Sequence, residues 1–158
     1  MRRIVIIIGL LIAVVAAWYV WAAGAHGFSA NAAPSWIETK LAALSRHLAL
    51  PAGDNAARDP EPMTPTRLAR ARQEFHEQCA LCHGDDGSGH TTMGQSLYPK
   101  VPDLRGMTQN RTNGALFYSI RNGIRMSGMP AWSNQDSDAE IWALVALIRT
   151  QREPQRNQ

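Results

Sequence analysis

The sequence predicts an all-α protein, in which one transmembrane helix and a short amphipathic helix precede a small helical domain. Apolar residues recur at helical spacing in several segments that begin with a capping residue, and no segment shows the pattern of a βαβ unit. The start of the chain is an uncharged apolar run as long as a membrane span. With 158 residues, 45% of them hydrophobic, the chain has room for one domain with appendages.

The N-terminal segment is predicted to cross a membrane. Residues 4–23 carry no charge, and at about 1.5 Å per helical residue they span about 30 Å, the thickness of a bilayer core. Arg2 and Arg3 precede the span, which predicts a cytoplasmic N-terminus and places the rest of the chain on the periplasmic side. A cleaved signal peptide is the alternative, because Ala-x-Ala sites occur around Ala30 and Ala32. The apolar run is longer than the roughly 7 to 15 residues of a signal core.

A short connector and an amphipathic helix are predicted to follow. Residues 24–33 are small or polar and favour a connector. Ser35 and Glu38 have the spacing of a capping box, and an apolar stripe follows at positions Ile37, Leu41, Leu44 and Leu48. The apolar face can lie on a membrane or pack against the domain.

A linker rich in proline precedes the domain. The segment from Leu50 to Pro65 contains four prolines, which favour an extended, semi-rigid spacer. The chain is therefore predicted to consist of an N-terminal tip and anchor (1–27), a juxtamembrane helix with linker (28–65) and a domain (66–158).

Both cysteines of the chain lie in the stretch Cys79-Ala80-Leu81-Cys82-His83. A c-type haem needs two thiols for thioether bonds and an imidazole for the iron, and C-x-x-C-H supplies all three. A redox dithiol is expected in a βαβ context, and a zinc site needs four ligands, for which the chain has no further cysteine. The spacing predicts covalent haem attachment, with a catalytic or structural disulfide as the alternative.

The first helix of the domain is predicted to carry the two thiols. Thr64 is a suitable N-cap with Pro65 in the first turn, and an apolar stripe runs along Leu68, Ala71, Phe75 and Cys79. Three glycines then interrupt the pattern, as a chain turning sharply beside a flat ring requires: Gly84, Gly87 and Gly89.

The remainder of the domain is predicted to contain two more helices. Residues 90–111 show little periodicity and are predicted to form one long loop. Thr112 can cap the second helix, which Gly123 can end, and residues 124–132 form a loop that contains two methionines. The last helix begins at Ser137, with Glu140 completing a capping box, and Pro154 stops it.

Residues 66–152 resemble a class I monohaem cytochrome c of the small bacterial, membrane-anchored type. The order of features carries the resemblance: a helix, C-x-x-C-H-G, a loop with Pro-Asp-Leu, a helix, a Gly-Met-Pro loop and a terminal helix. The resemblance implies the class I cytochrome c fold, in which three to four helices surround one covalently attached haem c.

The resemblance also implies roles for individual residues. Cys79 and Cys82 match the thioether cysteines, His83 matches the proximal iron ligand, and Met129 matches the distal ligand. Pro102 matches the loop proline whose carbonyl accepts the N–H of the ligand imidazole.

Two positions depart from the family pattern, and several residues compete as ligands. Ala71 stands where the family often has glycine, and Leu147 where an aromatic residue is common. Met126 lacks the proline that follows Met129. Met93 and Met107 are expected to fill gaps in the haem pocket, and the histidines that would give a bis-His iron are His76 and His90.

The implied ligand set predicts an electron carrier and not an enzyme. An iron with histidine and methionine ligands has no open position and cycles between its ferric and ferrous states. The expected partners are redox proteins in or at the plasma membrane, with no small-molecule substrate. The alternatives are an electron-transfer subunit of a larger membrane dehydrogenase or oxidase and, less favoured, a haem enzyme with an open sixth site.

Nucleic acid is not an expected partner. Residues 66–158 contain eleven Lys or Arg against nine Asp or Glu, a surplus of two that the two haem propionates would cancel. Proteins that bind nucleic acid concentrate basic charge on one face.

Overall fold

The structure is a computed structural model that describes residues 2–26, 35–48 and 55–151. Every regular element in these ranges is helical, which confirms the predicted all-α class. The backbone contacts divide the chain into two compact units, residues 1–33 and 34–158.

The first unit contains one long helix, α1 (Arg2–His26). The part from Arg2 to Ala22 is long and apolar enough to cross a membrane, and its large apolar side chains are exposed. Helix α1 continues to His26, so the predicted connector begins later than residue 24. Residues 27–34 of that connector lie outside the described residues.

Helix α2 (Trp36–Leu48) begins with the predicted capping box. The Glu38 N–H donates to Ser35 Oγ at 3.2 Å, and the Ser35 N–H donates to Glu38 Oε2 at 3.2 Å. The apolar stripe of this helix is exposed at Ile37, Leu41 and Leu44.

The second half of the predicted linker is attached to the domain. Residues 49–54 lie outside the described residues, but Thr112 Oγ1 donates to Asn55 Oδ1 at 2.6 Å, and Ala57 packs against the domain core. Residues 55–64 therefore do not form a free spacer. Sequence periodicity missed this attachment because it depends on residues far apart in the chain.

Arg67 forms most of the polar contacts that hold this segment. Its guanidinium lies 3.3 Å from Asp59 Oδ2 and donates at 3.1 Å to the carbonyl oxygens of both Glu61 and Pro62. It also donates to the Ala139 carbonyl at 2.9 Å. The side chain is only 18% exposed, so little water competes for these bonds.

Replacing Arg67 by alanine is expected to lower the free energy of unfolding of the domain by about 2 kcal/mol. The loss of the charged guanidinium leaves several acceptors without a hydrogen-bond partner. Protease sites within residues 55–64 should also become accessible. Chemical denaturation and limited proteolysis measure the two effects. The control is Arg72→Ala, an exposed arginine on the same helix. Equal effects of the two substitutions would contradict the role of Arg67.

The domain is built around the packing of helix α3 (Pro65–Glu74) against helix α7 (Asp138–Thr150). The predicted caps of both are present: Thr64 Oγ1 accepts from the Arg67 N–H at 3.2 Å, and Ser137 forms the capping box with Glu140. The Phe117 ring from α6 (Asn113–Asn122) stacks on Trp142 with centroids 4.3 Å apart.

The two departures from the family pattern fit within this core. Ala71 is 1% exposed and Leu147 is 4% exposed, so both side chains are packed. Both residues belong to the buried core cluster of the domain.

The prediction of one continuous loop over residues 90–111 was wrong. The segment contains a short helix, α5 (Thr92–Ser96), and a 3₁₀ helix (Met107–Asn110). Thr91 caps α5, with its Oγ1 accepting from the Gly94 N–H at 2.8 Å. Elements of four or five residues are too short to produce a recognisable apolar period.

Candidate haem-binding site

One continuous helical stretch carries the C-x-x-C-H residues. Helix α3 passes into a π-helical turn (Phe75–Cys79) and then into α4 (Ala80–His83). Single π-helical turns are rare and occur often at functional sites. Phe75 is 4% exposed, and Cys79 packs against the core, which confirms the predicted stripe.

The two cysteines are half-buried free thiols. Burial raises the pKa of the Cys79 thiol to about 12, and the negative charges of Glu74 and Asp136 act in the same direction. A reactive catalytic cysteine requires a lowered pKa, so Cys79 has the wrong environment for a thiolate nucleophile. Leu81, between the cysteines, is 67% exposed.

His83 has the properties of a neutral metal ligand. Burial lowers its pKa, which favours the neutral imidazole that binds iron. Its Nδ1 atom is buried without a hydrogen-bond partner among the described residues, and the ring centroid lies 6.5 Å from that of Phe75. A buried polar atom without a partner is rare in native proteins, so the described residues alone do not satisfy this imidazole.

The predicted hydrogen bond between His83 and the Pro102 carbonyl is not formed in this structure, because Nδ1 has no partner. Pro102 nevertheless belongs to a segment that closely approaches the turn after His83. The Gly89 N–H donates to the His83 carbonyl at 2.7 Å, and a Cβ placed on Gly89 would lie 3.1 Å from the Pro102 oxygen. The contact of Pro102 with the imidazole stays a prediction.

Helix α5 packs directly on the backbone of the C-x-x-C-H stretch. Thr91 Oγ1 donates to the Leu81 carbonyl at 2.8 Å. Gly94 is buried, and a Cβ at that position would collide with the Cys82 carbonyl oxygen. Sequence reasoning missed this support for the C-x-x-C-H stretch.

The two methionines of residues 124–132 have different environments. Met129 is half-buried and packs against the core, whereas Met126 is 91% exposed and has a φ of 59°. The Met129 carbonyl accepts from the Ile124 N–H at 3.1 Å, and its N–H donates to Ser127 Oγ at 3.2 Å. This environment favours Met129 over Met126 as a ligand.

A glycine fixes residues 124–132, which we call the methionine loop, on helix α6. Gly123 ends the helix with a φ of 68°, a conformation that other residues rarely adopt. A Cβ at this position would lie 2.6 Å from the Pro130 carbonyl carbon, so the loop backbone packs directly on the helix end. Pro130 follows Met129, which is therefore held close to α6.

The competing ligands lie at the surface. His76 is exposed, and its Nδ1 lies 2.6 Å from Asp85 Oδ1; this hydrogen bond and the charge of Asp85 raise the pKa of His76. His90 is exposed, and Met93 is 44% exposed. The side chain of Met107 lies outside the description.

A carboxyl pair beside Cys79 was missed by the sequence analysis. Glu74 and Asp136 each have one buried carboxylate oxygen without a hydrogen-bond partner. Burial and the neighbouring carboxyl group of Asp136 raise the pKa of Glu74 to about 8. The sequence does not predict this pair, because Glu74 and Asp136 lie far apart in the chain and come together only in the folded domain.

A family model matches the domain. The model of the family described as cytochrome c oxidase, cbb3-type, subunit III matches residues 66–148. This range contains the C-x-x-C-H stretch and both methionines of the loop that follows α6.

Two curated relatives share part of the chain. It is 31% identical over 100 residues to a thiosulfate dehydrogenase of Stutzerimonas stutzeri, covering 61% of this chain and 31% of the relative. It is 30% identical over 84 residues to a cytochrome c6 of Tetradesmus obliquus, covering 53% of this chain and 90% of the relative. The chain thus spans about a third of the first relative and most of the second.

A solved structure has a similar fold. One chain of the reducing HAO-like protein complex of Kuenenia stuttgartiensis matches with a TM-score of 0.53 and 18% identity, covering 61% of this chain and 50% of that chain. At this identity the likeness concerns the fold alone.

Proposed function

This chain belongs to the family of c-type cytochromes described as cytochrome c oxidase, cbb3-type, subunit III, and we propose from this membership that it carries single electrons between redox proteins. Family membership implies haem c as the cofactor. The proposed site holds one haem, attached covalently through Cys79 and Cys82. His83 and Met129 would bind its iron.

The residues present fit this cofactor. Two thiols lie at the end of a helix that is anchored in the core, and a neutral, half-buried imidazole follows them directly. Met129 packs against the same core cluster as Cys79. When bound, the haem supplies an iron that changes between its ferric and ferrous states. The protein positions the ligands and excludes water from them.

The half-buried Met129 is the observation that carries the electron-transfer proposal. A methionine in the sixth position closes the iron to oxygen, peroxide and other substrates. An exposed residue there would favour the alternative of a haem enzyme. Because one relative is a thiosulfate dehydrogenase, the hypothesis to be tested against is that this chain oxidises thiosulfate as an enzyme.

A redox titration combined with a turnover assay tests this function. The purified protein should take up one electron reversibly and release it quantitatively to an oxidised redox protein. Thiosulfate should neither reduce it at a significant rate nor be consumed in the presence of an electron acceptor. Sustained thiosulfate oxidation would make this chain an enzyme and contradict the carrier proposal.

We propose further that α1 anchors the protein in the plasma membrane, with the haem domain on the periplasmic side. Arg2 and Arg3 precede the apolar run, and aromatic residues cluster at its other end, as at a headgroup boundary: Trp18, Tyr19 and Trp21. The anchor would confine the search for a redox partner to the membrane surface, which raises the effective concentration. Residues 55–64 add no reach to this tether because they are attached to the domain.

The mature protein is expected to keep its N-terminal segment and to stay with the membrane after high-salt and carbonate washes, because charge screening does not displace an apolar span. Intact-mass measurement and membrane fractionation check both points. A variant in which a cleavable export signal replaces residues 1–33 is the control and should keep its haem while leaving the membrane. A native N-terminus near Ala33 would show that the segment is a signal peptide.

A second candidate is an electron-transfer subunit of a larger membrane complex. The family description, which names an oxidase subunit, favours it. Mild detergent extraction followed by size-exclusion chromatography separates the two candidates: a carrier elutes alone, and a subunit elutes with its complex.

A further inference from the structure

Glu74 and Asp136 meet where the haem-attaching helix approaches the segment between the methionine loop and α7. Glu74 is the last residue of α3, directly before the π-helical turn that carries Cys79. Asp136 precedes Ser137, the N-cap of α7. Both side chains are half-buried, and Glu74 Oε1 and Asp136 Oδ2 are buried without a hydrogen-bond donor.

Two ionised carboxylates can only accept hydrogen bonds, so neither can satisfy the other. One proton between them supplies the missing donor and removes the repulsion of like charges. Among the described residues, no salt bridge offers either carboxylate a cation instead. The geometry therefore favours a pair that shares one proton.

The surrounding charges favour the protonated pair. The charge of Glu140 on α7 adds to that of Asp136, and the pKa of Glu74 is raised to about 8, with burial as the largest cause. Hydrogen bonds from Ser137 and the positive charge of Arg70 lower the pKa of Glu140, which favours its ionised form. On the π-helical turn, Cys79 experiences the charges of both Glu74 and Asp136. The pair and the residue proposed to bind the haem are thus electrostatically coupled.

We propose that Glu74 and Asp136 form a proton-binding site coupled to the oxidation state of the haem iron, so that this domain takes up a proton when it accepts an electron. The inference rests on the haem attachment proposed above. It adds a function that neither the fold nor the ligand set requires.

The charges and atoms balance in each direction. At a pH between the pKa of the pair in the ferric protein and its higher pKa in the ferrous protein, the domain gains one electron from a reduced donor protein and the pair gains one proton from solvent. An O–H bond forms on Glu74, and this O–H group donates a hydrogen bond to a carboxylate oxygen of Asp136. The charge of the pair changes from minus two to minus one. Oxidation by an acceptor protein returns the proton to solvent. The added electron makes the surroundings of Cys79 more negative, and a more negative potential strengthens proton binding by a carboxylate.

Potentiometric titration of the full-length haem protein at a series of pH values tests the proposal. In the native protein, the midpoint potential should fall as the pH rises through the neutral and mildly alkaline range, because reduction takes up a proton that becomes scarcer. Glu74→Gln should lose this shift while keeping its haem. The matched control is Glu77→Gln, an exposed glutamate on the π-helical turn, which should titrate like the native protein.

Infrared difference spectroscopy gives a second readout. The reduced-minus-oxidised spectrum should contain a protonated carboxyl band that Glu74→Gln loses, and Asp136→Asn should shift or remove the same band. If Glu74→Gln does not fold, Asp136→Asn and the native difference spectrum still decide the question.

Two results would overturn the proposal. A protein with covalent haem whose potential does not change with pH, or changes equally in Glu74→Gln, would refute the proton coupling alone and leave the electron-carrier proposal intact. A protein without covalent haem would refute both, and denaturing electrophoresis with haem staining separates this case from the first.

Discussion

Replacing both Cys79 and Cys82 by serine in the full-length protein is expected to abolish covalent haem attachment completely. These are the only two thiols of the chain, so no other residue can form a thioether bond. Haem staining after denaturing electrophoresis measures the loss. Each single substitution should leave one thioether and a weaker stained band. The domain should also lose stability, because a small domain depends strongly on its cofactor.

A substitution between the cysteines provides the control. Leu81 is 67% exposed, so Leu81→Ser changes the same segment without removing a thiol or a core contact. It should leave the stained band unchanged. Colour that acid acetone removes from the native protein, or that survives in the double serine variant, would contradict covalent attachment at these positions.

Met129→Ala is expected to remove the methionine-to-iron absorption band of the ferric protein and to open the iron to external ligands. The side chain packs against the core, so its loss should also cost about 2 kcal/mol or more of unfolding free energy. Absorption spectroscopy and denaturant titration measure the two effects.

Met126→Ala is the matched control for this substitution. Met126 is 91% exposed, so the band should persist and the unfolding free energy should change by no more than about 0.5 kcal/mol. The reverse result, in which Met126→Ala removes the band and Met129→Ala keeps it, would exchange the roles of the two methionines.

The sequence predicted those features of the fold that depend on neighbouring residues. The caps at Ser35, Thr64, Thr112 and Ser137 each need a side chain and an N–H three residues away, and all four are present. The buried stripe of α3 follows from its apolar period. The C-x-x-C-H spacing predicts haem attachment for the same reason, because the two thiols and the imidazole lie within five residues.

The remaining features depend on contacts between distant residues. Arg67 reaches the Ala139 carbonyl, and Glu74 meets Asp136, through the packing of α3 and α7. The apolar pattern of the sequence does not predict the π-helical turn at Phe75. Helix α5 is too short to show a helical repeat of apolar residues. The local sequence distinguishes Met129, which stands in Gly-Met-Pro, from Met126, but their different exposure depends on tertiary packing.

Carbon monoxide binding tests the central claim most directly, because the claim of an electron carrier requires that His83 and Met129 occupy both axial positions of the iron. The absorption spectrum of the reduced, full-length protein is recorded before and after saturation with carbon monoxide at neutral pH. The account predicts that the spectrum does not change, whereas Met129→Ala acquires the shifted bands of a carbon monoxide complex. A shifted spectrum in the native protein would contradict the account and favour a haem enzyme with an open site.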